Sequence, residues 1–206
     1  MELIRFSRLK KYDLGKIVAT LGVFDGLHLA HQKLISRAVE LAKQNNVKSA
    51  VITFDPHPDY VLHKRKNAGY LTPLPEKIQF LETMGVDLLI LIPFNKVFSD
   101  TSSEDFEEQY LGKFDLVKII VGYDYHYGRK GQGTIASLKE KYDVEVLEEQ
   151  VINNERFASD IIRQGLLAGN LEKVNSMLGR PYNISGVVAE GNKIGQKLGF
   201  RTANII

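Results

Sequence analysis

The segment Gly22-Val23-Phe24-Asp25-Gly26-Leu27-His28-Leu29-Ala30-His31 gathers the residue types that anion chemistry needs. Two glycines flank an aspartate, and two histidines follow three positions apart. Glycine lets a ligand approach the backbone closely. If a helix opens here, positions i and i+3 share a face, so both imidazoles point the same way. The N-terminus of such a helix carries free N–H groups and a positive partial charge, which suit a polyphosphate. Zinc is a competing reading, because His28, His31 and Asp25 supply three donors. The more usual helical zinc pair is i,i+4, however, and no fourth ligand is evident. A plain strand–helix turn with incidental histidines is the structural alternative. Two histidines at this spacing after Gly-x-x-Asp-Gly favour the anion site.

Such a loop needs a strand before it and a helix behind it. Residues 17–21 are a short apolar run that stops at Gly22, and residues 31–45 carry Leu34, Ile35, Ala38, Leu41 and Ala42 at helical spacing, with Asn45-Asn46 as the stop. The alternation continues. Strands are expected at 49–54, 87–92, 117–121 and 144–147, and helices at 75–84, 103–111, 159–168 and 171–178. Apolar strands alternating with helices imply an α/β, doubly wound parallel sheet of the Rossmann-like kind. Ligands bind such sheets outside the carboxyl ends of the strands, where the strand order reverses. The loops after Leu21, Phe54 and Val121 should therefore converge. Composition shifts at Gly179-Arg180-Pro181-Tyr182, so residues 1–182 read as one domain. Residues 183–206 read as the start of a second module, with a strand at 184–188 and a Gly-rich stretch at 191–199.

Bulk properties exclude several classes of function. The chain has 206 residues, 44% hydrophobic and 25% charged, close to ordinary globular usage. Lys+Arg 27 against Asp+Glu 25 gives a net charge of +2, too small to argue for nucleic acid. The short basic clusters His63-Lys64-Arg65-Lys66 and Arg129-Lys130 are candidates only for phosphates. With no cysteine, there is no disulfide, thiolate metal site or cysteine nucleophile. The first residues lack a signal-peptide pattern. The longest apolar stretch, about 87–94, is far too short to span a bilayer. A cytoplasmic protein without membrane or nucleic-acid partners is expected.

The motif Gly-x-Phe-Asp-Gly-x-His-x-x-His resembles the HxGH-type signature of the nucleotidylyltransferase superfamily. The chain as a whole is similar to the adenylyltransferase half of the bacterial bifunctional riboflavin kinase/FMN adenylyltransferase (FAD synthetase) family. Thr53-Phe54-Asp55-Pro56-His57-Pro58 resembles the family's Thr-Phe-x-Pro-His-Pro loop. Leu71-Thr72, Glu76-Lys77 and Gly85-Val86-Asp87 match its next helix and strand. Val121-Gly122-Tyr123-Asp124-Tyr125-His126-Tyr127-Gly128 resembles its Val-Gly-x-Asp-Phe-x-Phe-Gly element, and Leu178-Gly179-Arg180-Pro181-Tyr182 its exit from the domain. Two positions depart from the pattern: Ala30 stands for a glycine, and Asp160 for a threonine in Phe157-Ala158-Ser159-Asp160-Ile161-Ile162-Arg163.

The resemblance implies FMN, ATP and Mg²⁺ as reactants, with AMP passing from ATP to FMN. It implies His28, His31 and Arg163 as the groups that stabilise phosphate charge. Gly22, Phe24, Asp25, Gly26, Asp124 and Ser159 would hold ATP, with Ser159 and Arg163 on the outer phosphates. The flavin slot would draw on Phe54, Pro56, His57, Pro58, Tyr125 and Tyr127. Tyr60 and Tyr123 are further aromatic candidates. No protein ligand for a metal is implied. Gly195-Gln196-Lys197-Leu198-Gly199-Phe200-Arg201-Thr202-Ala203-Asn204 is similar to the Mg-ATP element of the kinase module, where Thr202 and Asn204 would be the binding pair. The remainder of that β-barrel is absent from the sequence, so no riboflavin kinase activity is expected of these residues. Another nucleotidylyltransferase with a different phosphate acceptor, and a non-catalytic flavin or nucleotide sensor, remain open alternatives.

Overall fold

The computed structural model describes residues 1–62, 69–152, 155–191, 196, 199–200 and 202–205. The basic cluster at 63–66 and part of the 195–204 element lie outside the described residues.

Six strands form one sheet: β1 (Glu2–Arg5), β2 (Lys16–Leu21), β3 (Lys48–Asp55), β4 (Leu88–Pro93), β5 (Asp115–Gly122) and β6 (Val144–Leu147). Their spatial order is β1-β4-β3-β2-β5-β6, and every neighbouring pair is parallel. Parallel strands buried on both faces should be continuously apolar rather than alternating. Ile17–Leu21 and Leu88–Ile92 are buried throughout. Successive side chains go to opposite faces. Ile17, Ala19, Leu21, Ala50, Ile52, Leu88, Ile90, Ile92, Ile119 and Val121 fill one core layer. Val18, Val51, Leu89, Leu91 and Ile120 fill the other.

Among the described residues, eight α-helices accompany the sheet: α1 (Leu29–Gln44), α2 (Pro58–Val61), α3 (Leu74–Thr83), α4 (Lys96–Ser99), α5 (Ser103–Gln109), α6 (Ile135–Lys141), α7 (Ser159–Leu167) and α8 (Leu171–Leu178). Helix α1 buries Ile35, Ala38, Val39, Leu41 and Ala42 against β2, β3 and β5. Ser102 caps α5 through a 3.0 Å bond from the Asp105 N–H. Helices α7 and α8 cross closely: a Cβ on Gly165 would lie 2.8 Å from Val174 Cγ2. Their buried Ile162, Val174, Met177 and Leu178 pack on Leu71, which sits beside Gly26.

The strands expected at 17–21, 49–54, 87–92, 117–121 and 144–147 all form, with ends moved by two residues at most. The sheet also holds an element the hydrophobic pattern does not announce. Strand β1 is four residues at the edge, of which only Ile4 is buried. Helices α2, α4 and α6 are likewise additions. Helix α6 buries only Leu138 and is held by a capping box between Thr134 and Ser137, so apolar periodicity could not reveal it. The expected helix at 103–111 ends at Gln109 and passes into a 3₁₀ turn at Leu111–Lys113. The expected strand at 184–188 is a correction. After the short antiparallel pair β7 (Val151–Ile152) and β8 (Glu155–Arg156), this stretch contributes only β9 (Val188–Ala189), which pairs antiparallel to β10 (Asn204–Ile205). Ile184 and Val187 are more than 70% exposed, so no layer covers them to favour a strand.

Candidate functional site

The chain leaves β2 at Leu21, and the Gly22 N–H still bonds Ile52 O at 3.2 Å. It then turns sharply, with Phe24, Gly26 and Leu27 at φ 52°, 85° and 45°. Two of these are not glycine, and such conformations cost about 1–3 kcal/mol each unless the surroundings hold them. Here the surroundings do. The Phe24 ring folds back over Gly22, where a Cβ would lie 2.9 Å from Phe24 Cζ. The Leu71 and Thr72 N–H groups donate to Asp25 Oδ1 at 3.0 and 3.1 Å. Ser159 Oγ donates to Asp25 O at 2.8 Å.

His28 is the N-cap of α1. Its Nδ1 accepts the His31 N–H at 3.4 Å, which leaves the ring proton on Nε2 in the neutral form. The two imidazoles are stacked, with centroids 3.6 Å apart and planes 17° from parallel. Burial pushes the His28 pKa down to about 4, and the Arg180 charge adds to that. His31 falls well below 6.5, first through burial and then through the charges of His28 and Lys77. Both rings are therefore neutral hydrogen-bonding groups near pH 7. His31 Nδ1 is buried without a hydrogen-bond partner, an arrangement that proteins avoid unless a ligand or water completes it.

A cavity of about 290 Å³ opens in front of these groups. Leu21, Gly22, Phe24, His28, Ala30 and His31 line one side, Gly122 to Tyr125 another, and Leu147 to Gln150 with Arg156 to Ser159 the third. It therefore lies between the carboxyl ends of β2 and β5. That is where the strand order reverses, since β3 lies on one side of β2 and β5 on the other.

Of the residues expected to hold ATP, Gly22, Phe24, Asp124 and Ser159 line this cavity, together with His28 and His31. Asp25, Gly26 and Arg163 do not. The Asp25 carboxylate, only 2% exposed, turns behind the loop onto Leu71 and Thr72 and forms an ion pair with Arg163. Arg163 Nη1 also donates to Gly69 O at 2.6 Å. Gly26 supplies the left-handed turn rather than a wall. The flavin candidates divide in the same way. Tyr125 lines the cavity. Phe54 stacks edge-on with Phe94, centroids 5.7 Å apart, at the end of β3. Pro56, His57 and Pro58 run past the back of the loop, where His57 Nε2 comes within 3.9 Å of Asp25 Oδ2. Tyr127 faces inward: it is buried, donates to Glu107 and lies 3.0 Å from Ser137 Oγ. Its neighbours fix that orientation: the Tyr127 backbone forms an antiparallel bridge with Gly133, and its ring packs on Phe106 with centroids 5.6 Å apart. The loops after Leu21 and Val121 thus meet at one cavity, while the loop after Phe54 touches the first loop from the other side. Asn204 opens β10 and pairs with Ala189, while Thr202 precedes that strand; neither lines the cavity.

Sequence reasoning missed the segment after β6. Glu148, Glu149 and Gln150 line the cavity; Tyr123 donates to Glu149, and Lys33 Nζ to Gln150 Oε1 at 2.8 Å. The position of that segment at the carboxyl end of a parallel strand was the available signal. Among the described residues, no group of three or more His, Cys, Asp or Glu side chains is arranged to hold a metal ion, and no helix is long and apolar enough to cross a membrane.

Comparison with known proteins agrees with this geometry. The FAD synthetase family model matches residues 10–162, and the riboflavin kinase model matches residues 178–206. The bifunctional riboflavin kinase/FMN adenylyltransferase of Listeria monocytogenes is 39% identical over 94% of this chain and 63% of its own length. The enzyme of the same name from Bacillus subtilis is 38% identical over 96% of this chain and 64% of its own length. The chain thus spans a little under two thirds of these relatives. The Buchnera aphidicola (Schizaphis graminum) protein of that name is 39% identical over the whole chain and 68% of its own length. A solved structure of a Streptococcus pneumoniae protein called a macrolide-efflux protein superposes with a TM-score of 0.85 at 26% identity, over 99% of this chain and 68% of that one. The residues that build the cavity from Gly22 to Ser159 fall inside the matched span, and the chain belongs to the FAD synthetase family.

Proposed function

We propose that this protein is an FMN adenylyltransferase, which transfers AMP from ATP to FMN and releases pyrophosphate. The observation that carries the reading is the cavity at the strand-order reversal, walled at one end by two stacked neutral histidines on a helix N-terminus. The family match gives the chemistry that such a cavity would serve.

The FMN phosphate is anionic near neutral pH, so it can attack the α-phosphorus without a general base. A new P–O bond forms as the bond between the α-phosphorus and the bridging oxygen breaks, and that oxygen leaves with pyrophosphate. The protein's part is positioning and charge stabilisation. His28 presents Nε2–H to phosphate oxygens, and His31 lies against it as the second imidazole. Ser159 and Asp124 hold ATP from the opposite wall. Arg163 fixes Asp25, and through it the loop, when no nucleotide is bound. Phe54, Pro56, His57, Pro58 and Tyr125 supply the flavin side. Mg²⁺ enters with the substrate as MgATP. Residues 183–206 are the first part of a riboflavin kinase-like module, with Thr202 and Asn204 as its Mg-ATP pair. The cytoplasm, where both substrates are at hand, is the place of action.

The test is direct. FMN, ATP and Mg²⁺ are incubated with the protein, and flavins are separated by chromatography. FAD accumulation above the blank is the expected result. Tight FMN or ATP binding with no FAD would sink the catalytic reading and favour a sensor.

A further inference from the structure

The Gly22–His28 loop is gripped from behind through its carbonyls. Lys77 Nζ donates to Val23 O at 2.9 Å, and Thr53 Oγ1 to the same oxygen at 3.0 Å. Arg180 Nη2 donates to Gly26 O at 3.0 Å and Nη1 to Leu27 O at 3.1 Å. Gln32 Nε2 reaches Leu27 O at 2.8 Å. Helix α3 unites the two cations: it carries Lys77, and three residues on it carries Phe80, over whose ring the Arg180 guanidinium lies at 4.5 Å. Lys77 is only 4% exposed. An ammonium there forgoes most of its hydration, a cost that its contacts must offset.

A trans peptide is planar, with its C=O and N–H pointing in opposite directions. Donors that hold the carbonyls of Val23 and Leu27 therefore turn the N–H groups of Phe24 and His28 the other way. Phe24 and His28 both line the cavity. Within the described residues neither N–H has a hydrogen-bond partner, although Phe24 is 1% and His28 4% exposed. A buried N–H left open is costly, and an anion in the cavity would remove that cost.

We propose that Lys77 and Arg180 are positioning residues for nucleotide binding: they touch no reacting atom, but they orient and polarise the peptides whose N–H groups bind the phosphates. The assignment deepens the adenylyltransferase reading and rests on it only for the identity of the nucleotide. Arg180 also ties the end of α8, where the domain exits, to the phosphate loop, since Nη1 also lies 3.3 Å from Leu178 O.

The experiment measures ATP and FMN affinities by calorimetry on the full chain and on its Lys77→Met, Arg180→Gln and Arg180→Lys variants. Each variant's melting midpoint is recorded alongside. ATP binding should weaken tenfold or more in Lys77→Met and Arg180→Gln, with FMN affinity within twofold of the parent. Arg180→Lys should recover part of the loss, because one ammonium can hold one of the two carbonyls. ATP affinity within twofold of the parent in variants that melt normally would overturn the proposal, as would equal losses for ATP and FMN. If Lys77→Met fails to fold, the half-buried Arg180 pair decides. Because binding is read without turnover, a parent chain that binds ATP and makes no FAD refutes the reaction and still tests the clamp.

Discussion

At the scale of single residues, the stacked pair His28–His31 is the centre of the site. A histidine N-cap is unusual chemistry for a position that favours Ser, Thr, Asp and Asn. Here Nδ1 performs the capping, and Nε2 is left with a proton to donate. Replacement of His28 by alanine removes both functions. Turnover of FMN and ATP should fall by about 10²-fold or more, as expected for loss of a donor aimed at charge that develops in the transition state. Steady-state assays of FAD formation check this, and a rate within a few-fold of the parent would remove His28 from the mechanism. Both histidines were legible in the sequence from their spacing. Their neutrality was not, because it comes first from burial in the folded chain, where Phe157 stacks on His28, and then from the charges of Arg180 and Lys77, residues far along the chain.

At the scale of elements, the site depends on how helices meet strand ends. The residues after β5 run from the cavity wall at Tyr123 to the packed Tyr127, then reverse at Gly128. Gly128 has φ 72°, and a Cβ there would stand 2.8 Å from Ser103 N and 2.9 Å from Ser103 Cα. Backbone atoms at the start of α5 cannot swing aside as a flexible side chain would. Gly128→Ala should cost about 3 kcal/mol, combining the left-handed backbone with overpacking. A lowered urea midpoint at an unchanged slope is the expected measurement; a shift below about 0.5 kcal/mol would show that α5 can move away. The strongly apolar strands and α1 were readable because burial on both faces leaves no polar alternation to confuse them. Strand β1 and helix α6 were not, since each buries a single residue and is held by neighbours or a cap.

At the scale of the molecule, the buried imidazoles make stability depend on acid. An unfolded histidine takes up its proton near pH 6.5, whereas folded His28 does so only near 4. Between those values the unfolded chain binds more protons, so stability is full above 6.5 and declines as pH falls toward 4. The His28 contribution alone amounts to roughly 3 kcal/mol over that window, and His31 adds in the same direction. Urea unfolding followed at pH 7, 6, 5 and 4 should show this loss, and a His28→Asn variant should show a shallower one. Equal pH slopes for parent and variant would place the acid sensitivity elsewhere. A bound nucleotide should flatten the curve, because phosphate beside the rings favours their protonated forms.

The sequence by itself determined the parallel α/β class, the strand that carries the Gly22–His28 loop, the helix behind it and the family motif from Gly22 to His31. Those features are local, set by runs of apolar residues and by glycines and histidines a few positions apart. The tertiary structure decided which members of the motif face the cavity. Asp25 and Arg163 read as nucleotide contacts, yet they close on each other behind the loop. Tyr127 read as flavin wall, yet it packs into the core. Lys77 and Arg180 were only motif matches in the sequence, 54 and 154 residues from the carbonyls of Val23 and Gly26 that they hold. Contacts at that separation exist only once the sheet has brought β2, α3 and the end of α8 together, because no local pattern specifies which buried carbonyl a distant cation will meet.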